Sequence, residues 1–240
     1  MTTHAIYHVT DEDVAEYTPS ILIYEINLLV GAVCFTLTFT NSVVLVTTYK
    51  FRKQFSMLIL LSFSEMISLM GIMLEATMRR QLFIEATRTR IAEVRTSRSC
   101  LLPWTLLQVA GDFWSPSLVV LMGIERVCAV IAPSFFHNAF VGNMHSILIF
   151  VTLYSYSFVI VPTLLNIFHP TPNVRWSCGR KAAFGTTFGF IDYGYNVSFY
   201  TVAFMLNLIA IANALKVHHS RRNMAKLKCY TLMFSSKYPM

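Results

Sequence analysis

The chain has 240 residues, of which 55% are hydrophobic and only 13% are charged, and its formal net charge is +7. An ordinary soluble domain has about a quarter of its residues charged, so this composition, with a mean hydropathy of +0.55, excludes a soluble enzyme and predicts an integral membrane protein. The Lys and Arg residues cluster between apolar runs and not on one aromatic face, which argues against nucleic acid as a partner and for contact with membrane lipids.

Apolar runs define the predicted fold, because a helix needs about 20 apolar residues to cross a bilayer. Five continuous runs predict an all-α transmembrane helix bundle over residues 21–215, with spans near 21–48, 55–78, 100–123, 145–168 and 190–215. The runs do not alternate with polar residues, which disfavours strands. Residues 1–20 are acidic and have no Lys or Arg, so we expect a retained first span and not a cleaved signal peptide.

The orientation follows from the two ends of the chain. Five crossings place the acidic residues 1–20 and the basic tail 216–240 on opposite sides, which favours an extracellular amino terminus and a cytoplasmic tail. The count of basic residues hardly decides the orientation, because ten would lie inside and nine outside. In this orientation residues 79–99, with six arginines, form an outer loop, and residues 169–189 form another.

Acidic residues inside the spans are candidates for function, because a charge at the centre of a bilayer costs at least about 2.5–3.5 kcal/mol. Glu65 lies near the middle of the second span and is either an ion, proton or switch site or a protonated side chain hydrogen-bonded inside the bundle. Asp112 in the third span either faces a ligand cavity or pairs with a polar group on a neighbouring helix. Gln108, one helical turn away, is a second candidate ligand-binding residue.

Glu125 and Arg126 end the third span as adjacent opposite charges. Such a pair can leave the arginine free to change partners when helices move, which predicts a signalling switch. Ordinary anchoring of a helix end at the membrane boundary is the simpler alternative, and the dipeptide alone favours it.

Two of the five cysteines fall on the predicted outer side, where disulfides persist. Cys100 opens the third span and Cys178 lies in the loop after the fourth. A bridge between them is favoured over two unpaired thiols, and it would contribute about 4 kcal/mol in the chain-entropy model.

Catalytic and cofactor motifs are not found in the sequence. The seven histidines have no metal-ligand spacing, and there is no Gly-rich phosphate loop and no GxSxG. We therefore expect no catalytic residue, no metal and no cofactor, and a protein that is not an enzyme.

Several motifs, in their order along the chain, resemble the rhodopsin-like seven-helix G protein-coupled receptors, and among them the nematode serpentine chemoreceptors. The stretch from Glu125 to Pro133 is similar to that family's acid-Arg-aromatic motif, with Val127 in place of the aromatic residue. The other matching features are Asn41 in the first span, Leu61–Glu65 in the second, Cys100 about one helix length before Arg126, Cys178 in the second outer loop, and Pro162 in the fourth span.

The resemblance implies a chemosensory receptor in the plasma membrane that binds a small molecule between its helices and activates a heterotrimeric G protein. It implies that Glu125 and Arg126 are the cytoplasmic switch and that Asn41 and Glu65 form a polar hub between helices. The family's sixth and seventh helices have no counterpart, so an incomplete chain is expected. The alternatives are a small transporter or channel subunit, with acidic residues lining a path, and a receptor fragment that does not signal.

Overall fold

A computed structural model describes residues 6–49, 52, 55–174 and 176–235, together with their side chains except at residue 141 and from residue 217 onward. Within these ranges the fold is helical. The helices are α1 (Asp11–Thr47), α2 (Ser56–Thr89), α3 (Pro103–Ile131), α4 (Pro133–Phe136), α5 (Met144–Phe168), α6 (Arg180–Phe184) and α7 (Thr186–Ser235). A 3-10 turn over Ser97–Cys100 precedes α3, and a π-helical turn over His137–Val141 follows α4.

Five described helices are long and apolar enough to cross a membrane, namely α1, α2, α3, α5 and the Thr186–Lys216 part of α7. Their best 18-residue windows have mean hydropathies of 1.5 to 2.0, and most of each window's surface is not covered by protein. An apolar surface of this extent suits lipid and not water. The prediction of an all-α membrane bundle is confirmed, and the chain is a multi-pass membrane protein.

The helices extend beyond the predicted spans at the end of the bundle where the chain starts. Helix α2 continues to Thr89, so the predicted outer loop 79–99 is wrong in its first half. Helix α1 begins at Asp11, because the Thr10 side chain caps it and the Thr10 backbone N–H donates a hydrogen bond of 2.8 Å to the Asp13 carboxylate. Apolar runs mark only the lipid-facing part of a helix, whereas backbone hydrogen bonding continues until a cap or a turn stops it.

Two short strands lie outside the apolar runs, for which the sequence predicts helices and not strands. Strand β1 (Ile6–His8) pairs antiparallel with β2 (Ile91–Glu93), with Tyr7 opposite Ala92. Arg90 allows this pairing, because its left-handed backbone (φ 59°) ends α2 and turns the chain back. Strands of three residues are too short to give a detectable alternating pattern.

Helix α3 is the centre of the bundle. It packs against α2, α5 and α7, whereas α1 packs mainly against α2. Small residues let α2 and α3 approach closely: a Cβ added at Gly71 would lie 2.7 Å from the backbone nitrogen of Gln108. On the opposite side of α3, Phe113 is fully buried and its ring stacks on Phe158 of α5 with 4.8 Å between centroids.

Candidate functional site

A disulfide closes the end of the bundle at which α3 begins, which we call the disulfide end. The sulfur atoms of Cys100 and Cys178 are 2.09 Å apart, and both residues are almost fully buried. The bond joins the 3-10 turn before α3 to the segment before α6. It closes a loop with a sequence separation of 78, for which the chain-entropy model gives about 4.5 kcal/mol. The bond therefore holds α6 against the start of α3.

Arg180 of helix α6 forms ion pairs with two aspartates of the bundle. Nη1 of Arg180 donates hydrogen bonds to Oδ2 of Asp112 on α3 and to Oδ2 of Asp192 on α7. The Asp192 side chain is only 3% exposed, and its other oxygen accepts a 3.2 Å hydrogen bond from Asn196. One guanidinium nitrogen thus joins three helices. We call Arg180, Asp112 and Asp192 the ionic cluster.

The ionic cluster carries two carboxylates for one guanidinium. Burial lowers the pKa of Arg180, but the negative charges of Asp112, Asp192 and Glu75 outweigh burial and raise this pKa above its ordinary value. Arg180 is therefore always protonated. Breaking such a buried pair from one side leaves an uncompensated charge and costs about 3–5 kcal/mol.

A cavity of about 470 Å³ opens beside the ionic cluster at the disulfide end. Its charged and aromatic lining consists of Glu75, Arg79, Arg180, Lys181, Asp192 and Tyr193. This volume is within the usual range for small-molecule sites, about 300–1,000 Å³. The cavity combines both signs of charge with apolar wall, so it suits a small polar molecule.

Arg79 fixes one wall of this cavity. Its Nη1 lies 3.0 Å from the Glu75 carboxylate and donates to the Tyr24 hydroxyl at 2.9 Å, while its Nε donates to the Ser177 carbonyl at 3.0 Å. Gly179 makes room for the arginine, since an added Cβ there would lie 2.5 Å from Nη2. The wall therefore joins α1, α2 and the segment that carries Cys178.

The two predicted ligand-binding residues, Asp112 and Gln108, lie in different surroundings. Asp112 belongs to the ionic cluster, which corresponds to the pairing alternative, although its partner comes from a short helix in the predicted outer loop 169–189. Gln108 is only 7% exposed, its Oε1 has no hydrogen-bond partner in the described part, and it is not among the residues that line the cavity. A ligand role for either residue stays a prediction.

The predicted polar hub is divided between two contacts. Asn41 of α1 donates a 3.4 Å hydrogen bond to Ser62 of α2, while the residue before Glu65 on α2, Ser64, contacts the Ser115 hydroxyl of α3. A set of hydroxyl contacts that no sequence pattern indicated lies beside them and links α2 to α3, and α3 to α5 and α7. Its contacts are Ser64–Ser115 at 2.8 Å, Ser117–Ser155 at 3.0 Å and Ser117–Tyr195 at 2.6 Å.

The opposite end of the bundle, which we call the Arg126 end, carries the predicted switch. Nη1 of Arg126 donates a 2.6 Å hydrogen bond to Oδ1 of Asn207 on α7. Glu125 and Arg126 both line a separate cavity of about 450 Å³, whose remaining lining is mostly apolar and includes Phe55 and Met57. Among the described residues, Glu125 and Arg126 form no ion pair with each other. The role of the two as a switch stays a prediction.

No sequence pattern indicated Arg180, Asp192 and Asn207 as site residues. Arg180 lies in the predicted outer loop 169–189, and Asp192 and Asn207 lie in the predicted span near 190–215. The sequence does contain one indication of a polar helix face. Asp192 and Asn196 are four residues apart and so lie on the same face of α7.

Within the described ranges, no group of three His, Cys, Asp or Glu residues is arranged to hold a metal ion. A comparison of the sequence with models of known protein families found no match, and a comparison with curated proteins found none either.

Proposed function

We propose that this protein is a G protein-coupled chemosensory receptor that binds a small molecule in the cavity at the disulfide end. The ionic cluster carries this proposal. Two of its members, Arg180 and the buried Asp192, line the cavity, and the third, Asp112, connects Arg180 to α3. Charged groups at membrane depth are functional by default, because they are costly to keep.

Helix α3 provides the physical connection from ligand to effector. It carries Asp112 at the cavity side and Arg126 at the other end, 14 residues apart, or about 21 Å along the axis. Both residues contact α7, through Arg180 and Asp192 at one end and through Asn207 at the other. A ligand that competes for the ionic cluster would shift α3 relative to α7, and that shift would reach Arg126.

The orientation in this proposal follows from the disulfide. Disulfides persist on the extracellular side, so the disulfide end and the amino terminus face outward from the plasma membrane. The Arg126 end then faces the cytoplasm, where a heterotrimeric G protein and anionic lipids are the partners. The carboxyl-terminal part of α7, rich in Lys and Arg, continues from this end.

A transporter or channel subunit is the alternative from a different class. It would use Glu65, Glu75 and Asp112 along an ion path. The ion pairs Glu75–Arg79 and Asp112–Arg180 support the receptor instead, because they hold two of these three acidic residues in place. Ion or substrate flux through vesicles reconstituted with the full chain would support the transporter.

The test is ligand binding by the full chain in lipid nanodiscs, screened with a small-molecule library by the shift in thermal unfolding temperature. Ala182 lines the cavity, so Ala182→Trp fills it, whereas Ala214→Trp places the same side chain on an exposed position of α7. We expect a ligand that stabilises the wild type and Ala214→Trp but not Ala182→Trp. If every stabilising molecule also stabilises Ala182→Trp, the cavity is not the site.

G protein coupling is tested separately, by the ligand-dependent binding of a GTP analogue to a co-reconstituted heterotrimer, which we call uptake of the analogue. Uptake that rises with the ligand and is lost in Ala182→Trp supports the receptor. Binding without any uptake, across the G protein classes tested, would leave a ligand-binding membrane protein and reject the coupling.

A further inference from the structure

Charge around the cavity at the disulfide end is distributed unevenly. Beside Arg180, two aspartates share one guanidinium nitrogen, so this part has one negative charge in excess. Glu75 and Arg79 balance each other at 3.0 Å. Lys181 lines the same cavity, and among the described residues it has no acidic partner at ion-pair distance. The cavity therefore has a negative side and a positive side.

These two sides differ in their solvent exposure. Asp192 is on the negative side and is almost completely buried, with 3% of its side chain exposed. Lys181 is exposed, and its alkyl chain rests on Gly189, where an added Cβ would lie 3.1 Å from Cγ. A buried excess charge is costly unless an opposite charge comes to it. A cationic group of a ligand at Asp192 would supply that opposite charge. An anionic group of the same ligand would form an ion pair with the ammonium group of Lys181.

We infer that the ligand is a small zwitterion, an α-amino acid or a close relative, with its cationic nitrogen toward Asp192 and its carboxylate toward Lys181. The inference rests on the proposed function and names the class of ligand for the same cavity. Arg180 can also donate hydrogen bonds to the carboxylate of the ligand. A guanidinium has five N–H donors, and only Nη1 of Arg180 makes hydrogen bonds within the described part. Val174, Ala182 and Tyr193 line the remaining wall and leave space for a side chain.

The experiment compares matched molecules on the full chain in nanodiscs. The probes are the twenty amino acids, each with its decarboxylated amine and its deaminated acid, for example leucine, 3-methylbutylamine and 4-methylpentanoate. Affinity is measured by isothermal titration and by thermal shift. We expect at least one amino acid to bind, and its amine and its acid each to bind about tenfold more weakly or worse, because each lacks one charge-assisted contact.

Variants assign the two contacts to residues. Lys181→Gln should weaken binding of the amino acid about tenfold while leaving binding of the amine unchanged, since only the carboxylate contacts Lys181. Lys216→Gln is the matched control on α7, outside the cavity, and should bind as the wild type does. Asp192→Asn should weaken the amino acid and the amine but not the acid. Should Asp192→Asn fail to fold, the exposed Lys181 and the matched probes still decide the question.

The outcomes separate this inference from the proposed function. Equal binding of an amino acid and its amine, or of an amino acid and its acid, overturns the zwitterion. Binding of other small molecules that Ala182→Trp abolishes, with no amino acid bound, overturns the zwitterion but keeps the receptor. If no molecule of any class binds in a manner sensitive to Ala182→Trp, both proposals fail.

Discussion

Arg126 of α3 donates a 2.6 Å hydrogen bond to Asn207 of α7, two residues that lie 81 positions apart in the chain. The ionic cluster joins the same two helices at the disulfide end. Helices α3 and α7 are therefore held together by polar contacts near both ends, with the hydroxyl contact Ser117–Tyr195 between them. Such contacts have discrete arrangements, so under the proposed function this helix pair is the part of the bundle that we expect a ligand to shift.

Replacement of Arg126 tests the switch. Arg126→Ala should abolish ligand-dependent uptake of a GTP analogue by the heterotrimer while leaving ligand affinity within about twofold, because Arg126 lies about 21 Å from Asp112. The measurement is uptake and titration on the same preparation. Arg98→Ala removes an exposed arginine at the disulfide end that does not line the cavity, so it is the control and should signal normally. Undiminished uptake in Arg126→Ala would remove Arg126 from the mechanism.

Opening the disulfide should affect both stability and the cavity. We expect Cys100→Ser to lower the free energy of unfolding by about 4.5 kcal/mol, because the loop that the disulfide closes is long. Ligand affinity should fall with it, since the bond holds α6 and thus Arg180 in place. Thermal unfolding and titration give both values. Cys34→Ser, a change at a free cysteine of α1, should alter neither.

The ionic cluster predicts a rescue. Arg180→Met leaves two aspartates without their cation and should cost about 3–5 kcal/mol of unfolding free energy. Adding Asp112→Asn removes one of the two negative charges, so the double variant should recover part of that loss. A double-mutant cycle from chemical denaturation measures the coupling. Additive effects of the two changes would show that Arg180 and Asp112 do not interact.

Close packing of α2 on α3 predicts a position-specific glycine effect. Gly71→Ala should lower the free energy of unfolding by about 1–3 kcal/mol, because the added methyl group meets the backbone of α3 at Gln108. Gly194→Ala is the matched control on α7, where no heavy atom lies within 4 Å of an added Cβ. It should be neutral or stabilising by up to about 1 kcal/mol. Equal destabilisation by both changes would contradict the close approach.

The sequence by itself determined the five membrane-spanning helices and the class of fold. The reason is physical: the bilayer requires each spanning helix to carry its own long apolar run, so the signal is local and readable from composition. It also singled out Cys100, Cys178, Asp112 and Arg126, because cysteines and charges near apolar runs are few and costly. Helix ends were less determined, since α1 and α2 continue past the apolar run until a cap stops them.

Only the tertiary structure decided which polar groups meet. Asp112 and Arg180 are 68 residues apart, and Arg126 and Asn207 are 81 apart. No local periodicity encodes such a distance, and several basic residues of the predicted outer loops were equally available to Asp112. The choice of Arg180 depends on the disulfide and on the short helix α6, which bring one particular guanidinium to the gap between α3 and α7.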